Sequence, residues 1–315
     1  NNTMYFILPH QVPAGRRVTY ATFVCTMRPG KAEPWRIRMT VGGDRLIVDF
    51  DVRSPAISML DMKLHINSVI SDAKHGARYC TADLKDFFLQ SFMKVYQYMR
   101  IHRRYLPQAI IDEYKLTPEH FDTNGYIYME IRKGMYGLKE AAILAYEQLR
   151  DHLALSGYLP VQHTPGLWKH QTWPTTFTLA VDDFGIKYFT QADADHLFAA
   201  IASKYALTID WTGSKYLGFT IEWNYSAGHV DLSPMPEYVP KALQILNHPK
   251  PTLPQHAPHR WSAPVYGQKI QLASTDLSPL LDQLGIHRVQ QISGTFLYYS
   301  RSIDPTIIVA LNEIS

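Results

Sequence analysis

The chain has 315 residues, 46% of them hydrophobic and 19% charged, and a net charge of +3 at pH 7, a balance typical of a globular protein rather than a disordered one. Its length predicts one large multi-lobed domain or two to three subdomains. No run of eighteen apolar residues occurs, so no membrane span is predicted, and the only cysteines, Cys25 and Cys80, argue against a disulfide framework.

The ends of the chain predict a fragment. NNTMYFILPH lacks the basic lead and cleavage site of a signal peptide. The chain begins without methionine and stops at ALNEIS inside a predicted helix. We therefore expect it to be a piece of a larger polypeptide.

Positive charge is concentrated near the N-terminus. Residues 1 to 50 hold seven basic and three acidic side chains, and a second basic cluster, Lys94, Arg100, Arg103 and Arg104, accompanies the aromatic run VYQYMRI. Basic stretches interleaved with aromatic residues suit a phosphate backbone and stacked bases. A solvated surface is the equally weighted alternative.

Hydrophobic periodicity predicts the elements in chain order. Residues 35–52 alternate around Gly42, Gly43 and Asp44 and predict a β-hairpin. The pattern then predicts a helix over 57–73, a strand over 77–84 and a helix over 140–156 that ends at Gly157.

Strands and helices stay mixed in the second half. TTFTLAV and IKYFT predict a hairpin with residues 182–185 at its bend, a helix follows Gln191, and KYLGFTIEW and HVDLS predict two strands. From Pro236 onward helices dominate, interrupted by the loop HPKPTLPQHAPHRW. Because no regular βαβ alternation appears, the predicted fold class is α+β.

Carboxylates terminate two of the predicted strands. Alternation along TTFTLAV places bulky residues on one face and Thr176, Thr178 and Ala180 on the other, which Asp182 continues. Asp83 ends ARYCTAD in the same way. Carboxylates brought together repel one another unless a cation lies between them, and oxygen ligands suit Mg²⁺. Taken alone, two adjacent aspartates before Phe-Gly more often indicate an ordinary hairpin turn, because aspartate is a favoured turn residue.

A series of motifs changes that balance. In order the chain contains WRIRMTVGGDRL, TADLKDFFLQ, KGMYGLKEA, LAVDDF, KYLGFTIEW and VQQISGTFLYYSRSIDPTIIVALNEIS. This series resembles the reverse transcriptases of copia-type LTR retrotransposons over nearly all of residues 35 to 315. HTPGLWKH, at 163–170, is similar to the segment that the family carries before its aspartate pair.

The resemblance implies a right-hand polymerase architecture with fingers, a palm of antiparallel sheet and packed helices, and a helical thumb. The implied parts are the fingers with the first palm helix (1–76), the palm with the first catalytic strand (77–95), fingers again (96–133), the palm with the catalytic hairpin (134–235), and the thumb with the start of the connection (236–315). The RNase H domain that usually follows in this family is expected to be absent.

The resemblance also implies the site. Asp83, Asp182 and Asp183 would be catalytic and bind metal, with Asp83 and Asp182 as the principal ligands and Leu84 lending a backbone carbonyl. The implied nucleotide-binding residues are Arg36, Arg38, Phe88 and Glu140. The implied template-primer residues are Lys133, Tyr136, Gly137, Lys139 and Ala180.

Two of these positions depart from the family. Glu140 stands where the family normally has glutamine, and an anion near a triphosphate should weaken nucleotide binding. Ala180 stands where the family usually has tyrosine, so a contact to the primer end is lost. Neither change removes a predicted metal ligand.

The implied function is an RNA-directed DNA polymerase that extends a primer by two-metal nucleotidyl transfer with Mg²⁺, or alternatively Mn²⁺. Its implied partners are an RNA template, a DNA primer, deoxynucleoside triphosphates and the RNase H and integrase of the same polyprotein, with no membrane. The family's usual setting is a cytoplasmic virus-like particle, with the nucleus as the alternative.

Two other functions stay open at this point. One is a catalytically impaired, nucleic-acid-binding remnant of the same fold, which Glu140 and Ala180 favour. The other is an unrelated metal-dependent phosphodiesterase. His256 and His259 have a spacing compatible with metal, but we expect a solvated loop because no cysteine or acidic partner lies near them.

Overall fold

The computed structural model describes residues 2–28, 33–234, 237–253, 265–267 and 279–315. The chain divides into two units, 1–213 and 214–315. Helices and strands are mixed without regular alternation, which confirms the α+β class. No helix in the described ranges is long and apolar enough to cross a membrane.

The regular elements have the following bounds. The helices are α1 (Met59–Ser71), α2 (Phe87–Gln90), α3 (Gln108–Glu113), α4 (Ala141–Ala154), α5 (Gln191–Ala202), α6 (Tyr238–Ile245), α7 (Gln283–Ser302) and α8 (Ile308–Ile314). The strands are β1 (Met4–Ile7), β2 (Val18–Met27), β3 (Trp35–Val41), β4 (Arg78–Leu84), β5 (Phe92–His102), β6 (Tyr126–Lys133), β7 (Tyr158–Pro160), β8 (Leu167–His170), β9 (Thr176–Ala180), β10 (Asp183–Tyr188), β11 (Leu207–Asp210), β12 (Lys215–Tyr216), β13 (Phe219–Asn224) and β14 (His229–Pro234).

One sheet of the N-terminal unit has the strand order β1-β6-β5-β2-β3. β2 runs parallel to β5, and the other neighbours are antiparallel. Alternate residues of β6, Ile127, Met129 and Ile131, are buried in its core beside Met99 of β5. β3 is the edge strand, so its backbone is free on one side to meet another part of the chain.

A second sheet of the same unit has the order β11-β4-β10-β9-β8-β7 and is antiparallel throughout. The apolar side chains of β4, β9 and β10 lie on one face and share a core with α4 and α5. Residues of this core that are at most 1% exposed include Leu84, Phe177, Leu179, Phe184 and Ile186 from the strands and Leu149 and Leu197 from the helices. Burial of this face fixes the register and therefore the face on which the intervening residues lie.

The opposite face of this sheet carries small and polar residues. Gly185 pairs with both Thr81 and Thr178 across the strands. α1 covers one end of this face, where His65 Nε2 lies 3.0 Å from Thr176 Oγ1 and Lys187 Nζ donates to Asp72 Oδ2 at 2.6 Å. The other end holds the aspartates.

The C-terminal unit contains a small antiparallel sheet, β12-β13-β14, and helices α6 to α8. Within it the Tyr238 hydroxyl donates to the Thr295 carbonyl at 2.8 Å, and the Tyr238 ring stacks on Tyr299. The helices predicted after Pro236 are confirmed for the described part of that stretch. His256 and His259 lie outside the described residues.

The long periodic elements agree with their predictions. α1, β4 and α4 fall within one or two residues of the predicted bounds, α5 begins at Gln191, next to its predicted start, and the Gly157 N–H donates to the Ala154 carbonyl at 3.0 Å with φ +84° at Gly157. The fingers, palm and thumb boundaries stay predictions.

Two local predictions outside the aspartate hairpin are wrong. Residues 35–52 do not form a hairpin, because β3 pairs with β2 and the Val41 N–H then donates to the Tyr136 carbonyl at 2.8 Å, which directs the chain elsewhere. KYLGFTIEW is two strands, since Leu217 and Gly218 both have positive φ and form a tight turn. Phe87 and Phe88 lie in the short helix α2.

Candidate active site

Two neighbouring strands place two carboxyl groups side by side. The register sets Asp183 of β10 directly opposite Asp83 of β4, and opposite Ala180 of β9 on its other side. Directly opposed residues of antiparallel strands project from the same face. Asp83, Asp183 and Ala180 therefore form a row at the open end of the small-residue face, so Asp183 continues that face, and the prediction that Asp182 does so is wrong.

Asp182 lies in the turn beside this row. Because Ala180 pairs with Asp183, the turn consists of Val181 and Asp182 alone, and the predicted bend over 182–185 is wrong: Asp183, Phe184 and Gly185 belong to β10. The Leu84 N–H donates to the Asp182 carbonyl at 3.0 Å. This bond ties the turn to β4 and fixes Asp182 next to Asp83.

The turn contains an unusual backbone conformation. Val181 has φ +62°, which is rare for a β-branched residue. A positive φ at the first central residue only is the type II′ pattern, whose twist suits a hairpin but favours glycine at that place. Such strained residues cluster at functional sites, where the surrounding structure holds them.

The pKa of each of the three carboxyl groups is raised, mainly by burial. Burial raises the pKa of Asp83 and Asp182, and the negative charge of Asp83 raises that of Asp182 further. Burial, followed by the charges of Asp182 and Asp83, raises the pKa of Asp183 to about 6. The cluster therefore holds more negative charge than the protein alone stabilises, and a bound cation would relieve it.

This arrangement predicts how stability changes with pH. Between the ordinary pKa of 3.8 and about 6, the folded Asp183 carboxyl keeps a proton that the unfolded one has lost. The free energy of unfolding should therefore fall as pH rises through this window and lose no more from this group above it. Urea unfolding of the wild type and Asp183→Asn from pH 4 to pH 7 tests this, because the difference between the two should grow with pH. A difference in the free energy of unfolding that does not change with pH would contradict the raised pKa of Asp183.

Arginine side chains from the first sheet face the cluster. Arg36 and Arg38 share one side of β3 because they lie two residues apart. The charge of Arg36 counteracts the raised pKa of Asp83, and that of Arg38 counteracts the raised pKa of Asp182. Both arginines are thus placed to contact a phosphate group bound at the carboxylates.

Arg38 is held by an aromatic ring. Its guanidinium lies 4.6 Å from the centre of the Tyr136 ring, and its buried Nε has no hydrogen-bond partner among the described residues. The Phe88 ring meets the same Tyr136 ring edge-on at 5.3 Å. Phe88, Tyr136 and Arg38 therefore form one continuous surface between α2 and β3.

KGMYGLKEA connects this surface to the sheet through its backbone. Gly137 has φ +96°, and a Cβ there would lie 2.1 Å from the Val41 carbonyl oxygen. A Cβ on Gly43 would lie 2.0 Å from the Gly137 carbonyl oxygen. Only glycine permits this approach, which joins the end of β3 to the segment after β6.

The remaining predicted residues lie around the same segment. Lys139 Nζ donates to the Leu46 carbonyl at 3.1 Å, and Lys133 Nζ lies 5.1 Å from the Phe92 ring centre. Leu84 is buried, with Leu207 of β11 opposite it. Contacts of these residues with a template, a primer or a metal stay predictions.

Glu140 turns its carboxylate into the protein. It is only 2% exposed, its Oε1 accepts a hydrogen bond from Gln97 Nε2 at 2.8 Å, and its buried Oε2 has no hydrogen-bond partner in the described ranges. A direct contact with a nucleotide would require this side chain to move. Gln97 lies 43 positions away in the chain, so no local pattern could predict this contact.

The unpartnered Glu140 oxygen predicts an effect on stability. Glu140→Gln keeps the acceptor for Gln97 and removes a buried charge, so we expect the free energy of unfolding to rise by about 1 kcal/mol. Urea unfolding measures this, with Glu147→Gln as the control, because Glu147 pairs with Lys94 at a more exposed position of the same helix. A loss of stability in Glu140→Gln that exceeds the loss in Glu147→Gln would contradict the burial argument.

The carboxylates fit a hard divalent cation in part. No group of three or more histidine, cysteine, aspartate or glutamate side chains in the described part of the chain is arranged to hold a metal ion by itself. Mg²⁺, however, is usually held by one or two carboxylates together with substrate phosphates and water. The carboxylate oxygens of Asp83, Asp182 and Asp183 suit a metal ion whose other ligands are phosphate oxygens and water. A site of this class can perform phosphoryl transfer.

No family model and no curated protein sequence matches the chain. Among solved structures, a foamy viral protease-reverse transcriptase in complex with double-stranded DNA is similar with a TM-score of 0.42 and 11% identity, covering 95% of this chain and 38% of that one. Telomerase from Candida albicans, in complex with a fragment of telomeric RNA, is similar with a TM-score of 0.38 and 11% identity, covering 78% of this chain and 51% of that one. The chain thus spans about two fifths of the first structure and about half of the second.

Proposed function

We propose that this chain is the RNA-directed DNA polymerase of a copia-type retrotransposon, which extends a DNA primer on an RNA or DNA template. The observation that carries the proposal is the aspartate cluster: Asp83, Asp182 and Asp183 meet at one end of the sheet with raised pKa values. Arg36 and Arg38 face them from β3. The order of motifs along the chain supports the same proposal.

The chain's own residues would act by positioning and charge. Asp83 and Asp182, with Asp183 and the Leu84 carbonyl, would hold Mg²⁺ or Mn²⁺, which supplies positive charge for the attacking and leaving oxygens. Arg36 and Arg38 would bind the triphosphate oxygens. Phe88 would lie beneath the sugar and exclude a 2′-hydroxyl, and Tyr136 would support the base pair. Phosphoryl transfer asks little covalent work of the protein.

The open end of the small-residue face suits a polynucleotide. α1 covers one end of this face, where Lys187 pairs with Asp72, whereas the aspartate end lies beside Ala180, the last residue of β9 before the turn, which has a short side chain. A primer terminus could therefore reach the carboxylates without displacing a large side chain. Lys133 and Lys139 would contact the backbone of the template and primer.

Primer extension tests the proposal. The chain is incubated with a labelled DNA primer on an RNA template, deoxynucleoside triphosphates and either Mg²⁺ or Mn²⁺. Elongation supports the polymerase. Template binding without elongation would support the remnant that Glu140 and Ala180 favour, and a shortened primer would support a phosphodiesterase. RNase H and integrase of the same polyprotein, and a virus-like particle in the cytoplasm, would be the setting.

A further inference from the structure

A cavity on the N-terminal unit takes no part in the proposed reaction. It has a volume of about 140 Å³ and lies between residues 47–50 and β5. Ile47, Phe50 and Val95 line it and are 62%, 48% and 56% exposed. Glu140 and Gln97 also line it and are 2% and 8% exposed. The cavity therefore combines accessible apolar walls with buried polar groups, which is the usual composition of a small-molecule site.

The polar groups form a chain with a fixed direction. Arg16 Nη2 donates to Gln97 Oε1 at 3.3 Å, and Gln97 Nε2 donates to Glu140 Oε1 at 2.8 Å. An arginine can only donate and a carboxylate can only accept, so the orientation of the Gln97 amide is determined by its two neighbours. Glu140 Oε2 ends the chain without a partner in the part of the protein that the structure describes.

The unused capacity of this chain defines a pattern for a ligand. Glu140 Oε2 is an acceptor, Gln97 Nε2 has a second N–H, and the Arg16 guanidinium has further N–H groups. In order they offer an acceptor, a donor and a donor. A complementary ligand presents a donor, an acceptor and an acceptor along one edge. The amino group, ring nitrogen and carbonyl oxygen of cytosine have this order, and a glutamate accepting from the cytosine amino group is a known pairing.

The size and charge of the cavity agree with a neutral single ring. An apolar cavity of about 150 Å³ holds one benzene ring. The charged residues that line the cavity are Arg16, Lys94, Asp49 and Glu140, whose formal charges cancel. Lys94 is also paired with Glu147 at 2.7 Å. A free cation would therefore gain little electrostatic attraction in this cavity. A planar base could stack against the Phe50 ring and donate a hydrogen bond to the unpartnered oxygen of Glu140.

We propose that this cavity binds a cytosine base through Glu140, Gln97 and Arg16, apart from the aspartate cluster. The base has two sources with the same chemistry, a free cytosine nucleoside or nucleotide and a cytosine within a single strand. The proposal does not depend on polymerase activity, because none of its three polar groups is a predicted metal ligand.

Binding measured in the presence of EDTA tests the proposal while no metal ion is bound to the aspartate cluster. Equilibrium dialysis compares cytidine with uridine, whose edge presents an acceptor where cytidine presents its amino group. We expect the wild type to bind cytidine roughly 10-fold more tightly. A second arm compares a ten-residue oligothymidylate with the same strand carrying one central cytosine. A cytosine preference in the first arm identifies the free base as a source, and a preference in the second alone identifies the strand. No preference in either arm would overturn the proposal.

Variants assign any preference to the cavity. Glu140→Gln places an amide N–H where the cytosine amino group donates, so the preference for cytosine should disappear in whichever arm shows it. Asp151→Asn removes one negative charge from the exposed surface of the same helix and should retain the preference. Asp182→Asn should also retain it. A preference that survives Glu140→Gln, or that disappears in Asp182→Asn, would place the base elsewhere and overturn the proposal.

Discussion

Asp182→Asn should abolish primer extension and at the same time make the protein more stable. The asparagine keeps the shape of the side chain but removes a negative charge that the proposed reaction needs, so we expect a loss of about 1,000-fold or more in the rate of extension. The same charge is unfavourable in the folded protein, because burial and Asp83 raise the pKa of Asp182. Its removal should therefore stabilise the fold.

The two readouts separate a functional loss from a folding defect. A melting curve should show a higher midpoint temperature for Asp182→Asn than for the wild type. Asp195→Asn is the matched control, since Asp195 is exposed on α5 and accepts a hydrogen bond from the neighbouring Gln191; it should change neither readout. Primer extension that survives in Asp182→Asn would contradict the catalytic role of the aspartates. A lower melting temperature would show that the Asp182 carboxylate stabilises the fold instead.

Gly137→Ala should damage both stability and activity. The added methyl group would lie 2.1 Å from the Val41 carbonyl oxygen, at a φ of +96° that alanine rarely adopts. Neither the backbone of β3 nor that of the KGMYGLKEA segment can move without breaking the bond from the Val41 N–H to the Tyr136 carbonyl. We expect a loss of about 3 kcal/mol or more.

The loss in activity follows from the position of β3. Arg36 and Arg38 face the aspartates only while the end of β3 stays joined to the segment that contains Tyr136. Gly294→Ala is the control, because a Cβ there meets nothing within 4 Å and alanine favours a helix. The melting temperature should fall by roughly 6 to 12 °C for Gly137→Ala and stay unchanged or rise for Gly294→Ala. An unchanged melting temperature in Gly137→Ala would show that the close approach is not required.

The sequence predicts elements well where local periodicity and burial agree. α1, β4, α4 and α5 each carry one apolar face along their whole length, and each is found where it was predicted. The aspartate hairpin is also found, although its turn is shorter than predicted. A turn of Val181 and Asp182 could not be anticipated, because a valine with positive φ contradicts the residue preferences of that turn.

Pairing between distant segments explains most of what the sequence missed. β2 has the β-branched and aromatic composition of a strand, but its partners are β3 and, in parallel, β5. The alternating pattern over 35–52 predicted instead that β3 pairs with the segment directly after it, and this pairing does not form. The chain of Arg16, Gln97 and Glu140 spans separations of 81 and 43 positions. No local pattern predicts contacts between residues so far apart in the chain. In the sequence, Glu140 stood out only because it differs from the glutamine of the motif that this segment resembles.

Template-directed addition of one nucleotide tests the central claim most directly. A labelled DNA primer is annealed to four RNA templates that differ only in the next base, and each is offered the four deoxynucleoside triphosphates separately with Mg²⁺. We expect the primer to grow by one residue with the complementary nucleotide, and to stay unchanged when Asp83→Asn replaces the wild type. Addition without regard to the template, shortening of the primer, or equal addition by Asp83→Asn would contradict the assignment of this chain as a polymerase that acts through its aspartate cluster.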